Sequence, residues 1–288
     1  NKVEISTFEK DFIEMTNKGP KLINSAKLIN HLKNLVSYYK GPPDITYPKM
    51  YMNIIECDMS DNQKTIYNKV LKGVEYNDIM NVSNNFLLGI RMASNIVYPN
   101  KKFKEAGFKS LKEKHLTLSE MKKLSCKFVK LLKIINESSG TLFLYTNFKK
   151  YGGIYPLIEF LEYNGFKNYE TNGHGNKRFA IWSGDQKPEY KETIKAVFNK
   201  KENVNGEKIK IIIGSSALRE GVSFLRLGSV IILEPYWNMS RIAQIIGRGF
   251  RYCAYKDLPE YKRKLQIYIL LATHPDIKQT VDQRIFEL

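Results

Sequence analysis

Apolar positions divide the chain into two regions of different rhythm. From about residue 119 onward, short continuous apolar runs alternate with longer amphipathic stretches. The runs at 141–145, 179–182, 209–213, 230–233 and 266–271 have strand length and are apolar on both faces, as strands buried between two layers of helices are. Between them, 154–163, 188–198 and 239–247 have helical spacing, and the second starts on Pro188, a residue favoured in a first helical turn. A helix over 119–136 precedes the first strand, with Met121, Leu124, Phe128, Leu131, Leu132 and Ile135 on one face. This alternation predicts an α/β fold built on a parallel sheet with helices on both faces.

The first 118 residues lack that regularity. A helical stripe over 20–40 carries Leu22, Ile23, Ala26, Leu28, Ile29, Leu32, Leu35 and Val36, and Gly41-Pro42-Pro43 stops it. Residues 50–57 (MYMNIIEC) read as a strand, and Asp58–Ser60 offers caps for a helix running to about Met80. A short apolar helix is expected over 83–92, and Tyr98-Pro99-Asn100 opens a lysine-rich loop. Residues 1–118 are therefore expected to form a mainly helical linker and accessory region, and 119–288 the α/β domain.

Composition narrows the partners. With 43% hydrophobic and 26% charged residues, the 288-residue chain is globular rather than disordered. Its net charge of +17 favours a polyanion, because Lys and Arg placed on phosphates release condensed counterions. Lysines 101, 102, 104, 109, 112, 114, 122, 123, 127, 130 and 133 make the densest basic stretch; a solvated face and a nucleic-acid contact both fit it. No apolar run reaches the roughly 18 residues of a membrane span. Cys57, Cys126 and Cys253 are far apart and odd in number, so they read as buried thiols of a reducing compartment. His31, His115, His174 and His274 are isolated from any cysteine pair, and no metal site is expected. The start, Asn1-Lys2-Val3, has no Met and no apolar signal segment and reads as a piece cut from a longer chain.

In an open parallel sheet the working face lies at the carboxyl ends of the strands. Four such ends carry polar turns: Thr146-Asn147, Ser183-Gly184-Asp185, Gly214-Ser215-Ser216 and Glu234-Pro235. Beyond them lies the segment richest in chemistry, Gln244-Ile245-Ile246-Gly247-Arg248-Gly249-Phe250-Arg251. On a helix, Gln244 and Arg248 would share a face, with Arg251 a turn later. Two guanidinium groups together suit a phosphate, since each is planar and permanently charged. Gly247 and Gly249 would let a phosphate or a neighbouring backbone approach closely.

Together these segments resemble the second RecA-like domain of superfamily 2 helicases and translocases. Residues 143–148 (FLYTNF) look like motif IV, 214–224 like motif V, and 244–251 match the Q-x-x-G-R-x-x-R form of motif VI. The Glu234-Pro235-Tyr236-Trp237-Asn238 step is similar to that of Swi2/Snf2-like translocases. With Val36–Gly41 and Met59–Gln63, it points to the branch found in large nucleocytoplasmic DNA viruses, which includes poxvirus nucleoside triphosphatase I and early transcription factor helicases. The likeness covers most of the chain and is tightest over 141–252.

The resemblance implies the C-terminal half of an ATP-dependent nucleic-acid motor. Arg248 and Arg251 would be arginine fingers, an element worth about 10³–10⁵ in rate, and Gln244 would position the nucleotide. Gly221, Ser223 and Gly247 would approach ribose or phosphates, Ser223 standing where many relatives carry an acidic residue. Thr146, Asn147, Ser183, Gly184, Ser215 and Ser216 would touch the backbone phosphates of DNA or RNA. Tyr236 and Trp237 could stack on a base but are expected rather to serve packing. No G-x-x-x-x-G-K-[ST] loop and no Asp-Glu dipeptide occurs in the sequence. ATP and Mg²⁺ would thus be held mainly by an N-terminal RecA-like domain, with residues 1–57 its tail and the linker, leaving this piece inactive alone. Viral transcription machinery, in the virion or host cytoplasm, would be the setting. The alternative is a non-catalytic, helicase-like module for docking nucleic acid or protein, which would tolerate loss of both arginines.

Overall fold

A computed structural model describes residues 5–17, 19–36, 46–72, 87–215 and 222–287. The chain forms two compact units, 1–43 and 44–288. In the first, α1 (Ile5–Phe12) leads into the antiparallel hairpin β1 (Ile13–Thr16) and β2 (Gly19–Leu22), followed by α2 (Ser25–Leu32). The helical stripe expected over 20–40 is thus a short strand and a shorter helix, and 37–40 lie outside the described residues. Gly19 takes φ +108°, which sets the tight turn and commits the following residues to the hairpin.

The larger unit contains β3 (Lys49–Asp58), α3 (Asp61–Lys72), α4 (Leu88–Asn95), α5 (Lys104–Phe108), α6 (Leu118–Leu124), α7 (Cys126–Glu137) and β4 (Leu142–Tyr145). After them come α8 (Ile154–Tyr163), β5 (Lys167–Asn168), α9 (Tyr169–Asn172), β6 (Arg178–Trp182), α10 (Pro188–Phe198), β7 (Ile211–Gly214) and β8 (Ser229–Ile232). The last elements are α11 (Met239–Ile246), β9 (Lys264–Thr273) and α12 (Val281–Glu287). Seven parallel strands make one sheet in the order β3-β9-β8-β4-β7-β6-β5. Strand alternation splits the core in two. Leu142, Leu144, Ile211, Ile213 and Ile231 face one apolar layer, while Phe143, Tyr145, Ile212, Val230 and Ile232 face the other. Both faces are therefore buried, as the continuous apolar runs predicted. Each fully buried side chain of this size contributes roughly 1.5–3 kcal/mol.

The structure departs from the sequence pattern in three places. The expected helix over 119–136 is two helices broken at Ser125. The Ser125 hydroxyl accepts from Phe128 N–H at 3.0 Å, capping α7, and donates to the Asn95 carbonyl at 2.5 Å. The lysine-rich segment contains a helical turn, α5, rather than only loop. The helix expected after the caps at 58–60 does start at Asp61, with Ser60 accepting from Gln63 N–H, and is described as far as Lys72. Finally, β3 belongs to the sheet: all ten of its residues pair with β9, from Lys49 opposite Lys264 to Asp58 opposite Thr273. The unit containing the sheet spans 44–288. Local periodicity marks 50–57 as a strand but cannot show that its partner lies at the far end of the chain.

One of the eleven lysines of the basic stretch is not a surface residue. Lys127 is fully buried and its Nζ lies 2.6 Å from Asp282 Oδ2 and 2.9 Å from Asn95 Oδ1, joining α7, α12 and α4. Asp282 also accepts from Ala272 N–H at 2.9 Å, at the end of β9. Removing one partner from a buried ion pair strands the other charge, at a cost of about 3–5 kcal/mol. Urea unfolding should therefore show Lys127→Ala destabilised by that order, while Lys133→Ala, an exposed member of the same helix, changes the midpoint little. Equal, small effects of both would mean that the pair carries no structural weight.

Candidate functional site

The carboxyl ends of β4, β6, β7 and β8 lie level with one another, since Tyr145 pairs with Gly214 and Ile232, and Gly214 pairs with Trp182. The polar turns that follow thus share one edge. At its centre is Glu234, fully buried just past β8. Its carboxylate accepts from Asn95 Nδ2 at 2.9 Å, from Thr146 Oγ1 at 3.0 and 3.1 Å, and from the main-chain N–H of Asn147. Asn95 Nδ2 also donates to the Gly152 carbonyl at 2.9 Å. A single carboxylate therefore fixes the loop after β4 to the β8 end and to α4. Burial raises its pKa, against the opposing pull of Arg91 and Lys127.

Arg91 was not singled out in the sequence, although a lone arginine in the apolar stretch LGIRMASN was a signal. It is buried, with its guanidinium 5.2 Å from the ring centre of Trp237, 5.3 Å from Phe148 and 5.5 Å from Tyr236. Tyr236 and Trp237 stack at 4.1 Å, and Arg241 lies 4.4 Å from Tyr236. Arg241 Nη2 donates to the Tyr145 hydroxyl at 2.8 Å, which in turn donates to Asn147 Oδ1 at 3.0 Å. Burial pushes the Tyr145 phenol up to about 12, so it stays a donor at neutral pH. The two aromatics are clamped between cations, in keeping with the packing role expected of them.

The residues expected to touch phosphates are less open than their types suggest. Thr146, Ser183 and Ser215 are all buried. The Thr146 hydroxyl is taken by Glu234, and that of Ser183 donates to Gln186 Oε1 at 2.7 Å. Both hydroxyls hold their loops in shape instead of facing solvent. Gly184 is exposed, and Asn147 is half-buried with an Nδ2 that has no partner in the structure. Lys149 forms an ion pair with Asp185, linking the loops after β4 and β6. Ser216 and Gly221 lie outside the described residues.

On the neighbouring segment, α11 is capped by Asn238, whose Oδ1 accepts from Ser240 N–H at 2.9 Å, and the helix ends at Ile246. Gln244 is exposed on α11, while Arg248 sits in the turn beyond it, so the two do not share a helical face. A Cβ on Gly249 would lie 2.6 Å from Leu227 Cδ2, so a side chain there would displace the buried Leu227. Arg248 is only 8% exposed; burial and the adjacent Arg251 charge both lower its pKa. Removal from water is the larger cause of that shift, and the like charge of Arg251 adds to it. Arg251 is half-buried, its Nε donating to the Gly247 carbonyl at 2.9 Å. Phe224, buried against Phe143 and Trp182, anchors the 222–225 segment beside this turn, and its N–H donates to the Arg248 carbonyl at 2.8 Å. Asn199 brackets Ser223 by bonding to Ser223 O at 3.0 Å and Leu225 N at 2.8 Å. Ser223, Gly247 and Arg251 consequently line one open cleft of about 510 Å³ with Tyr47, Phe250 and Tyr252. Of the sequence-selected residues, the fold brings together Ser223, Gly247, Arg248 and Arg251, and sets Gln244 on the adjoining helix.

Residues 126–253 match the helicase conserved C-terminal domain. The chain is 48% identical to an Acanthamoeba polyphaga mimivirus protein named as an ATP-dependent RNA helicase, over 97% of this chain and 50% of that protein. It is 34% identical to nucleoside triphosphatase I of Melanoplus sanguinipes entomopoxvirus, over 59% of this chain and 24% of that protein. It thus spans half or less of the length of these relatives. In structure it is similar to the C-terminal part of the Fun30 ATPase domain, at 15% identity and a TM-score of 0.51, over 84% of this chain and 90% of that one. That likeness concerns the fold alone, a RecA-like parallel sheet with helices on both faces.

Glu234 supplies a test of this edge. Its folded pKa is raised above the ordinary 4.5, so the native state holds the proton to higher pH than the unfolded chain. Ionising it therefore costs stability as pH rises above about 4.5. Measured by urea unfolding, the stability of Glu234→Gln relative to the parent should increase from pH 4.5 towards neutrality. Parallel pH profiles for the two proteins would show that Glu234 ionises without penalty.

Proposed function

We propose that this chain, which carries a helicase conserved C-terminal domain, supplies one wall of an ATP site and part of the nucleic-acid track of a viral translocase. The observation that carries this reading is the guanidinium pair of Arg248 and Arg251, packed against the Ser223 segment beside an open cleft. Two like charges held close in a partly buried site create a potential suited to a triphosphate.

ATP is the substrate, and its main binding surface lies on another domain, because this sequence has neither a phosphate loop nor an Asp-Glu pair for Mg²⁺. Closure of the two domains brings Arg251, at the cleft wall, towards the γ-phosphate. Arg248 adds its charge from behind, Gln244 orients the nucleotide, and the Ser223 and Gly247 backbones border the ribose and phosphates. These groups stabilise charge that builds on the transferring phosphoryl group, where fixed donors need no reorganisation. Opening and closing shift the grip of the loops after β4 and β6 and of Ser215 at the end of β7 on a nucleic-acid strand, with Asn147, Gly184 and Ser215 next to backbone phosphates. Contacts to phosphate rather than base edges give movement without sequence preference. The Glu-Pro-x-Trp-Asn step supports translocation over strand separation, and the viral relatives support a role in viral transcription, in the virion or host cytoplasm.

A second reading, a non-catalytic docking module, draws on the burial of Arg248 and on the internal hydrogen bond of Arg251. The two readings diverge on one substitution. In the protein joined to its nucleotide-binding domain, Arg251→Ala should lower ATP turnover by about 10³ while leaving nucleic-acid affinity nearly unchanged. Normal turnover in that variant would favour the docking module. The 288-residue chain by itself should hydrolyse no ATP, with or without nucleic acid. An Arg251-dependent rate from it would show that it builds a complete site.

A further inference from the structure

At the opposite margin of the sheet, β3 is an edge strand of ten residues, and no strand among the described residues pairs with its outer side. Proteins usually protect such an edge with charges, proline or a bulge. Here the charges sit only at the ends, on Lys49, Glu56 and Asp58, and the six central residues, Met50 to Ile55, carry none. Those residues alternate between two different surfaces. Met50, Met52 and Ile54 are 42, 50 and 40% exposed and lie opposite the buried Leu265, Ile267 and Ile269 of β9, so they extend the apolar core sideways to solvent.

Ile55, on the other face, borders a cleft of about 790 Å³, a size typical of ligand sites. The cleft lies at the amino ends of β4, β8 and β9, away from the carboxyl ends where the candidate site sits. Its walls carry Lys130, Lys133, Arg226, Lys262 and Lys264 against one carboxylate, Glu137. Arg226 is paired with Asp257 at 2.8 Å and Lys133 with Glu137 at 3.7 Å. Lys130, Lys262 and Lys264 have no carboxylate partner among the described residues. At the base, Gly140 and Gly228 meet backbone to backbone; a Cβ on Gly228 would lie 3.0 Å from Gly140 Cα.

We propose that the outer edge of β3 and this basic cleft together bind an extended segment of a partner protein in which acidic and apolar residues alternate. A strand added to β3 would satisfy the main-chain groups of the edge. Because its side chains would point to the two faces in turn, acidic residues would meet Lys130, Lys262 and Lys264, while apolar ones would cover Met50, Met52 and Ile54. Nucleic acid could answer the lysines, but neither the row of main-chain donors and acceptors nor the apolar stripe. The net charge of +17 would speed the approach of an acidic partner.

Fluorescence anisotropy with a labelled ten-residue peptide of alternating Glu and Val tests this on the 288-residue chain. Saturable binding is expected, with affinity lowered about tenfold or more, some 1.4 kcal/mol, by Met52→Lys and, separately, by Lys130→Glu with Lys264→Glu. A scrambled peptide of the same composition should bind far more weakly. Lys109→Glu with Lys112→Glu, elsewhere on the surface, should leave binding intact. Thermal melts establish that each variant is folded, and the milder Lys264→Gln replaces any that is not. Equal binding of the scrambled peptide, or absence of saturation, would overturn the proposal. So would displacement of the peptide by a single-stranded oligonucleotide whose binding the same substitutions weaken, or self-association of the chain that Met52→Lys abolishes.

Discussion

A carboxylate removed from water must have its charge and its lone pairs answered by the protein, or it destabilises the fold by several kcal/mol. Glu234 meets that demand through Asn95, Thr146 and the Asn147 N–H, within the field of Arg91 and Lys127. The geometry of the working edge follows from it. The loop after β4 cannot move away from β8 without leaving the carboxylate unpaired. Asn95 cannot leave without also releasing Gly152 and Lys127. Helix α4, which lies outside the regular alternation of strands and helices, is thereby as much a part of the edge as the strand ends themselves.

The cations near that edge fall into two groups by what surrounds them. Arg91 and Arg241 face aromatic rings, whose negative faces help to compensate them, and Arg91 also lies in the field of Glu234. Arg248 and Arg251 lie in and just beyond a glycine-flanked turn, where burial first and the nearby Arg251 charge second lower the pKa of Arg248. Holding Arg248 there depends on the fold around the turn, since the residue is almost fully removed from solvent.

Elements whose boundaries are fixed by neighbouring residues were legible in the sequence. Helix α10 starts at Pro188, and α8 runs over 154–163 as its spacing indicated. The four central strands announced themselves as apolar runs because both of their faces are covered. What local pattern could not reveal depended on distant partners. Ser125 breaks a helix because Asn95 and Gln63 receive the freed groups: Gln63 Oε1 accepts the Cys126 N–H at 3.0 Å, as the Ser125 hydroxyl donates to the Asn95 carbonyl. The family resemblance implies phosphate contacts for Thr146 and Ser183, but a hydroxyl points to whichever acceptor the fold provides, and here those are Glu234 and Gln186. The arginine motif was visible as a motif, but the burial of Arg248 depends on a turn beyond the helix end.

The same buried bonds bear on how such a lobe could work. From β9, Ala272 N–H reaches Asp282, Asp282 reaches Lys127, Lys127 reaches Asn95, and Asn95 reaches Glu234 and the loop after β4. At the end of β3, Thr273 Oγ1 donates to Asp58 Oδ1 at 2.8 Å, tying the edge strand into the same region. Spatial continuity of this kind is not evidence that one end signals to the other. It does argue against internal bending, since any shear between these elements would leave a buried charge or amide unanswered. Closure around a nucleotide transmits force only if each lobe moves as a unit. A polar chain through the core, costly to break at any link, gives an otherwise apolar sheet that stiffness in the direction from its edge strand to its working edge.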